Sequence, residues 1–512
     1  MLSDISVGNG GVAFAGDNAR FASVSPNGDG LRDAAFVHFQ LARPARVSLG
    51  VFKAGTVASG PRLIAQRAEH FGAGAHELRW KPRGTLAPRT YMLRLVARDG
   101  AGGRDVVGSL QPGDPQAHVV RVLGIDAGFT RPSYTPGGWA RLVISTDESS
   151  MTLQLFRAGP ELTPSIDRYG SDRLWGVPVG PAKALDWRRS TNHPVTLRLR
   201  IPYLQTGLYF ERLTASDGRA GFAPLVVLPS EWGRHRVAVV FPTNTWQAYN
   251  HRDLDGDGWG DTWYAVPSVT HVDLTRPYLH DGVPTDFCGY QLGFLRWLYQ
   301  GHKQVDFFTD RELDGLGGER LRRLYRLVVF LGHHEYMTTH AYDTVVRYRD
   351  LGGNLIFTSA TNFLYRVELR GRWMIGRRPW RTLGRPEAAL IGVQYLSNDF
   401  GRHQGRYVVV GAKRAPWAFA GTGMGNGSHF GHGGIEIDAR APASPPGTTL
   451  LATMKNLHGP GSSAEMTYYS TPRGARVFAS GTLNFAGTAL DPRVSALLEN
   501  VWGHLTRARG VR

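Results

Sequence analysis

The chain has one cysteine, Cys288, in 512 residues. A single thiol excludes an internal disulfide framework and any cysteine-held metal cluster. Long apolar runs are missing too: no stretch approaches the ~18 residues of a membrane-spanning helix. Acidic residues are scarce, 42 against 59 basic ones, for a formal net charge of +17 carried mostly by arginine. Such a surface suits nucleic acid, an anionic membrane or an acidic polymer. The charge is scattered, however, with "RLRRLYR" and "GRRPWR" the densest runs and no nucleic-acid module around them, so nucleic acid is not the expected partner. No secretory leader is visible at the start. Yet "MLSDISVGNGGVAF" does not read as the opening of a compact domain, which leaves room for a leader ahead of it.

Glycine (64) and proline (30) are plentiful, nearly a fifth of the residues, which points to many turns and β-rich modules. The length exceeds the reach of one core, so several domains are expected. Residues 1–120 alternate apolar and polar positions in "AAFVHFQLA", "ARVSLGVFKA", "AHELRWKP" and "TYMLRLVARDG", the pattern of a β-sandwich. "SPNGDGLRD", a tryptophan and "LAPRTYMLRLVARDGAG" resemble the FlgD-type immunoglobulin-like domain of bacterial surface and secreted proteins. Within it Asn27, Asp29 and Asp33 are spaced as in a short calcium loop, or equally as in a metal-free turn. Residues 121–231 show the same strand periodicity and form a second expected sandwich, packed on the C-terminal domain rather than swinging from a linker.

From 232 to 512 the rhythm changes. "HRVAVVFPT", "LYRLVVFLGHHEY" and "GGNLIFTSATN" are continuous apolar runs ending in polar residues, as buried parallel strands are. "FCGYQLGFLRWLYQGH" and "THAYDTVVRYRDLG" are helical; a β-rich extension and a closing helix, "PRVSALLENVWGHLTRA", complete the chain. The expected fold is thus two N-terminal sandwiches ahead of an α/β domain with a mostly parallel sheet. In such sheets ligands bind beyond the C-terminal strand ends. Three polar clusters fall there: "FPTNTWQAYN", "GHHEY" and "SATN".

Those clusters also carry a resemblance. "TWQAYN" (Thr245 to Asn250), Arg276-Pro277, "WL" at Trp297-Leu298, "QVDFFTDREL", "GHHEY", Gly352-Gly353 and Asn362 run in the order of the N,N-dimethylformamidase large-subunit family. "FAGTGMGNGSHFG", "GGIEIDAR" and "EMTYYSTPRGARVFASGTLNF" continue the match over about 260 residues. The resemblance implies a glutamine-amidotransferase-like α/β domain and hydrolysis of an amide C–N bond. It also implies a mononuclear ferric ion held by two tyrosinates and a glutamate. Carried over, the ligands are Tyr249, Glu335 and Tyr209 of "GLYFERL", with His333, Asn362 and Glu465 as catalytic residues. A small partner subunit is implied as well; a homo-oligomer is the other arrangement. Hard Fe(III) prefers anionic oxygen donors, while "HHEY" leaves Zn²⁺ open as an alternative although no HExxH is present. His334 stands where the family commonly has proline, Met337 where it has tryptophan, and Ser-Ala-Thr where two glycines precede the asparagine. These departures leave the substrate open.

Two further readings come from the residues alone. Asp253, Asp255, Asp257 and Asp261 in "DLDGDGWGD" alternate as in an EF-like loop without its twelfth glutamate, a second calcium candidate. Calcium of this kind, with a surface-type sandwich, favours a location outside the cytoplasm. Cys288 lacks a strand–elbow–helix setting and reads as a structural thiol. The competing function is a non-catalytic, calcium-stabilised surface protein for adhesion or carbohydrate binding.

Overall fold

The computed structural model describes residues 1–507 apart from 56–58, 85, 149, 162–173, 187–193, 265, 280–283 and 285. The chain is strongly β-rich, with seven sheets among the described residues. Leu2–Gly8, Ala35–Leu41 and Gly74–Trp80 form one sheet, and Phe21–Val24, His118–Val122, Arg89–Arg98, Ala45–Lys53 and Arg62–Phe71 another. The alternation in Ala35–Leu41 sends Val37, Phe39 and Leu41 inward against Val47, Leu49 and Leu93, so the two sheets share one core. Tyr91 closes this sandwich by donating from its hydroxyl to Ala87 O at 2.7 Å.

The second sheet pair sets Asp126–Phe129, Trp139–Ser145 and Val195–Arg200 against Ser133–Tyr134, Ala220–Val227, Gly207–Ala215 and Ser150–Arg157. Its larger sheet is covered on both faces. Tyr209, Leu213 and Leu225 face the partner sheet, while Leu208, Phe210, Phe222 and Val226 join the core that contains Val237, Phe241 and Phe294. The expected packing of this module on the C-terminal residues is therefore present in atomic detail.

A nine-stranded sheet dominates the remainder. Asp306–Thr309, Val237–Phe241, Leu327–Phe330, Asn354–Phe357 and Arg476–Ala479 run parallel, in that spatial order. Ala464–Ser470, Thr449–Met454, Gln404–Val409 and His429–Gly434 extend it antiparallel. Helices Gly293–Gln300, Thr339–Asp350 and Pro492–Thr506 cover the faces. A four-stranded sheet, His271–Asp273, Trp373–Pro379, Tyr365–Arg370 and Tyr336–Thr338, lies beyond the parallel strands. No helix among the described residues is long and apolar enough to cross a membrane.

Candidate active site

Three parallel strands deliver their polar ends to one place. After Phe241 the chain turns into a short helix, Thr243–Ala248, and Tyr249 caps its C-terminal end. After Phe330 it makes a sharp bend at Gly332, where φ is +79° and a Cβ would sit 2.3 Å from the Gln291 side chain. Only glycine meets both demands. That bend aims His333, His334 and Glu335 across the strand end. After Phe357, Thr358 accepts the Gly332 N–H at 2.9 Å, tying the second loop to the third.

Tyr249 and Glu335 meet directly: the phenol donates to Glu335 Oε2, and the Glu335 N–H is held by Thr245 Oγ1 at 3.0 Å. Burial, then the facing Glu335 carboxylate, holds the Tyr249 phenol well above its ordinary range. Glu335 is itself pushed up by burial and by a second carboxylate, Glu436. His333 Nε2 lies 3.6 Å from Glu335 Oε2 and 3.7 Å from Glu436 Oε2. The ring is buried and neither of its nitrogens has a hydrogen-bond partner among the described residues. Tyr336 reaches Glu335 with its side chain and is approached by Arg377. Tyr264 packs at 5.2 Å from the Tyr249 ring, and Tyr365 stacks on Tyr336 at 5.7 Å. The result is a buried cluster of phenols and carboxylates around one imidazole that makes no hydrogen bond among the described residues.

Glu436 and Tyr336 were not singled out by sequence. Both lie inside quoted motifs, "GGIEIDAR" and "GHHEY", but nothing in their spacing sets them apart. The structural signal for Glu436 is the residue before it. Ile435 sits at φ +64°, a conformation costly for a β-branched side chain and concentrated at functional sites. That kink places Glu436 Oε1 to accept from Asn398 Nδ2 at 2.8 Å, while Oε2 is buried 3.7 Å from His333 Nε2 and the Thr361 side chain also approaches the carboxylate.

Several carried-over residues stand elsewhere. Tyr209 alternates inward in its strand, into the sandwich core, and its hydroxyl donates to Gln205 O at 2.9 Å. This is the tyrosine corner of a β-sandwich, repeated at Tyr91, and not a ligand converging on Glu335. Glu465 is held by Arg440, at 2.8 and 3.0 Å through the guanidinium, and takes no part in the cluster. Asn362 is a clamp: its Oδ1 accepts the His334 N–H at 3.2 Å and its Nδ2 donates to Ser359 O at 2.7 Å. Left-handed Thr361 and Phe363 flank it (φ +56° and +58°). His334, which suggested zinc, has Nδ1 3.2 Å from Asp310 and Nε2 3.1 Å from Val240 O. Cys288 opens a turn of π-helix, half-buried against the main core.

The two calcium candidates differ. In the first loop Asp33 is paired with the Lys81 ammonium at 3.2 Å and accepts the Gly28 N–H, so a cation already occupies its carboxylate. In the second, carboxylate oxygens of Asp253, Asp255 and Asp261 lie within 4.8 Å of one another. Asp257 is turned away, accepting from Gly113 N at 2.5 Å. Burial and then like charge push Asp253 up, and Asp257 is raised to about 6, chiefly by burial. This loop also fastens the first sandwich: Trp259 is buried among Phe21, Met92 and Val119, and its Nε1 donates to Leu110 O at 3.3 Å.

A buried tyrosine–glutamate pair thus lies at the mouth of the parallel sheet, with a histidine and a second carboxylate beside it. The model of the family described as N,N-dimethylformamidase beta subunit-like, C-terminal, matches residues 177–495, and the chain belongs to that family. The N,N-dimethylformamidase beta subunit of an Alcaligenes species is 26% identical over 273 residues, 41% of this chain and 36% of that protein. The match thus spans about a third of the length of that curated relative. Two solved structures overlap with lower likeness. Native E. coli alpha-2-macroglobulin is 8% identical over 44% of this chain and 16% of its own, at a TM-score of 0.24. Red sea bream transglutaminase is 12% identical over 38% and 28%, at 0.16.

Proposed function

We propose that the chain hydrolyses an amide C–N bond with Fe(III) held by Tyr249, Glu335 and, as second phenol, Tyr336. The observation that carries this reading is the Tyr249–Glu335 contact, buried beside Glu436 and an unpartnered His333. The donor set fits the ion. Two phenols and a carboxylate are hard oxygen ligands that become anionic only against a strong positive charge. Zinc fits less well, because the second imidazole, His334, has both ring nitrogens engaged. When bound, the ion supplies a Lewis acid for the amide carbonyl and acidifies the attacking water.

The chain's own residues do the rest. Glu436, with Asn398 fixing its Oε1 and the Thr361 side chain alongside, accepts the proton of the attacking water at Oε2. His333, which burial holds neutral with a pKa of about 3, takes that proton from Glu436 at Nε2, 3.7 Å away, and passes it to the departing amine. Tyr264 and Tyr365 pack against Tyr249 and Tyr336 and help exclude water from the cluster, so that these charges act strongly. Purified protein from iron-fed cells is expected to carry about one iron per chain and a visible tyrosinate-to-iron absorption. Colourless, iron-free protein from such cells defeats the reading.

The same logic extends to the rest of the molecule. The helix-flanked parallel strands constitute a glutamine-amidotransferase-like domain from 232, after sandwiches at 1–120 and 121–231. Calcium sits on Asp253, Asp255 and Asp261, bracing the loop just after Tyr249; chelation then lowers Tm. The protein works outside the cytoplasm, and a small subunit completes it, as the "beta subunit" in the relative's name suggests.

A further inference from the structure

A cavity opens against the short helix that Tyr249 caps. It has a volume of about 240 Å³ and sits between the second sandwich, that helix and the segment 274–278. Its wall is apolar, with Phe129, Leu208, Val226, Trp246 and Tyr278 among the lining residues. None of the groups gathered around Glu335 lines it.

Its polar groups are unbalanced. Trp246 is 4% exposed, and its indole N–H, a donor only, is buried with no hydrogen-bond partner among the described residues. A buried donor left unmade costs about 1–3 kcal/mol, so it needs a reason. Arg131 and Arg311, one from each body, also line the cavity. Both are exposed and neither guanidinium has an ion pair among the described residues. The other two guanidiniums are committed, Arg372 to Asp273 and the buried Arg276 to the backbone oxygens of Gln247, Arg252, Asp261 and Asp273. The site therefore offers donors and positive charge at its polar parts and apolar surface elsewhere. Interfaces between domains are where such ligand cavities concentrate.

We propose that this cavity binds a small organic carboxylate with an apolar body about the size of one substituted ring. The carboxylate takes the Arg131 and Arg311 guanidiniums, which match its two oxygens, while the ring lies against Phe129, Leu208 and Trp246. The location gives the ligand a reach into the reaction site. Asn244, Trp246 and Gln247 line the cavity from the same short helix whose C-terminal cap is Tyr249. Asn244 Nδ2 also donates to Tyr336 O at 3.4 Å. A filled cavity fixes that helix, and through it both phenols of the pocket.

The test uses the full-length protein and benzoate as probe, read by calorimetric titration and by ligand-observed NMR. Saturable one-to-one binding is expected, with benzyl alcohol and benzamide at least ten-fold weaker. Arg311→Gln and Arg131→Gln, both at exposed positions that the fold does not depend on, should each weaken benzoate at least five-fold without lowering Tm. The Glu335→Gln protein should bind benzoate as the parent does. Benzoate affinity unchanged in both arginine variants overturns the proposal, and so does binding that disappears in Glu335→Gln, which places the anion at the metal site instead. Since the Glu335→Gln arm does not require hydrolysis, failure of the function proposed above leaves this result readable on its own.

Discussion

At the scale of single residues, two tyrosines separate the carried-over pattern from the geometry. Tyr209 fits the pattern, but its hydroxyl is spent on Gln205 O inside a sandwich; Tyr336 was overlooked, yet its side chain reaches Glu335. Tyr209→Phe should therefore keep iron and colour and lose about 1 kcal/mol of stability, the net worth of one hydrogen bond. Tyr249→Phe should lose the colour and the activity, and Tyr336→Phe should shift or bleach the band. Absorption spectra with iron per chain decide between them, and a Tyr209→Phe protein without colour would restore Tyr209 as ligand. A second residue makes a pH prediction. Glu211 is half-buried, with its Oε2 unpartnered, and burial raises its pKa to about 7 against 4.5, Lys183 offsetting part of that. The folded state favours the neutral acid, so the stability linked to this group is full below about pH 4.5 and is lost as pH rises through 7. Glu211→Gln should gain about 1 kcal/mol at pH 8 after allowance for its partial exposure, and nothing at pH 4. Equal effects at both pH values would show that the charge is not the cause.

Among elements, the strands were the most legible. "HRVAVVFPT", "LYRLVVF" and "GGNLIF" became Val237–Phe241, Leu327–Phe330 and Asn354–Phe357, because a run buried on both faces must be apolar throughout. Their polar ends were legible for the same reason: the run stops where the sheet does. Residues arriving by long-range packing were not. Glu436 enters through a kink at Ile435, and its partner Asn398 comes from a paired strand 38 residues away, so neither leaves a local pattern. The Asp-rich loop has a second role that its spacing does not announce. Its alternating acids suggested an ion-binding loop. The fold also uses it as a fastener, with Trp259 buried in the first sandwich and Asp257 capping Gly113 N. Trp259→Ala should cost about 3–5 kcal/mol at that junction. Calorimetry should then resolve the first sandwich as a separate, earlier transition. Chelator alone should give a smaller shift in the parent and none in Asp255→Asn.

For the whole molecule the question is which pieces stand alone. The family match begins at 177, inside the second sandwich, and takes in Gly207–Ala215 and Ala220–Val227. Those strands turn Leu208, Phe210, Phe222 and Val226 toward Phe241 and Phe294. Arg252 adds a paired contact to Asp126 across the same junction, at 2.8 Å to Oδ1, with both side chains largely buried. A chain started at 232 would lay that apolar face open and leave a buried guanidinium without its partner, which costs about 3–5 kcal/mol by itself. It should be insoluble or aggregate. One started at 121 keeps the face covered and exposes only the smaller patch around Trp259 and Val266. It should fold, bind iron and retain the absorption band, with a lower Tm. Size-exclusion profiles, iron content and melting curves of the two truncations test this directly. A soluble, coloured 232–512 fragment would mean that the second sandwich is an appendage, and that the strands shared with the family are packed on the site without being needed by it.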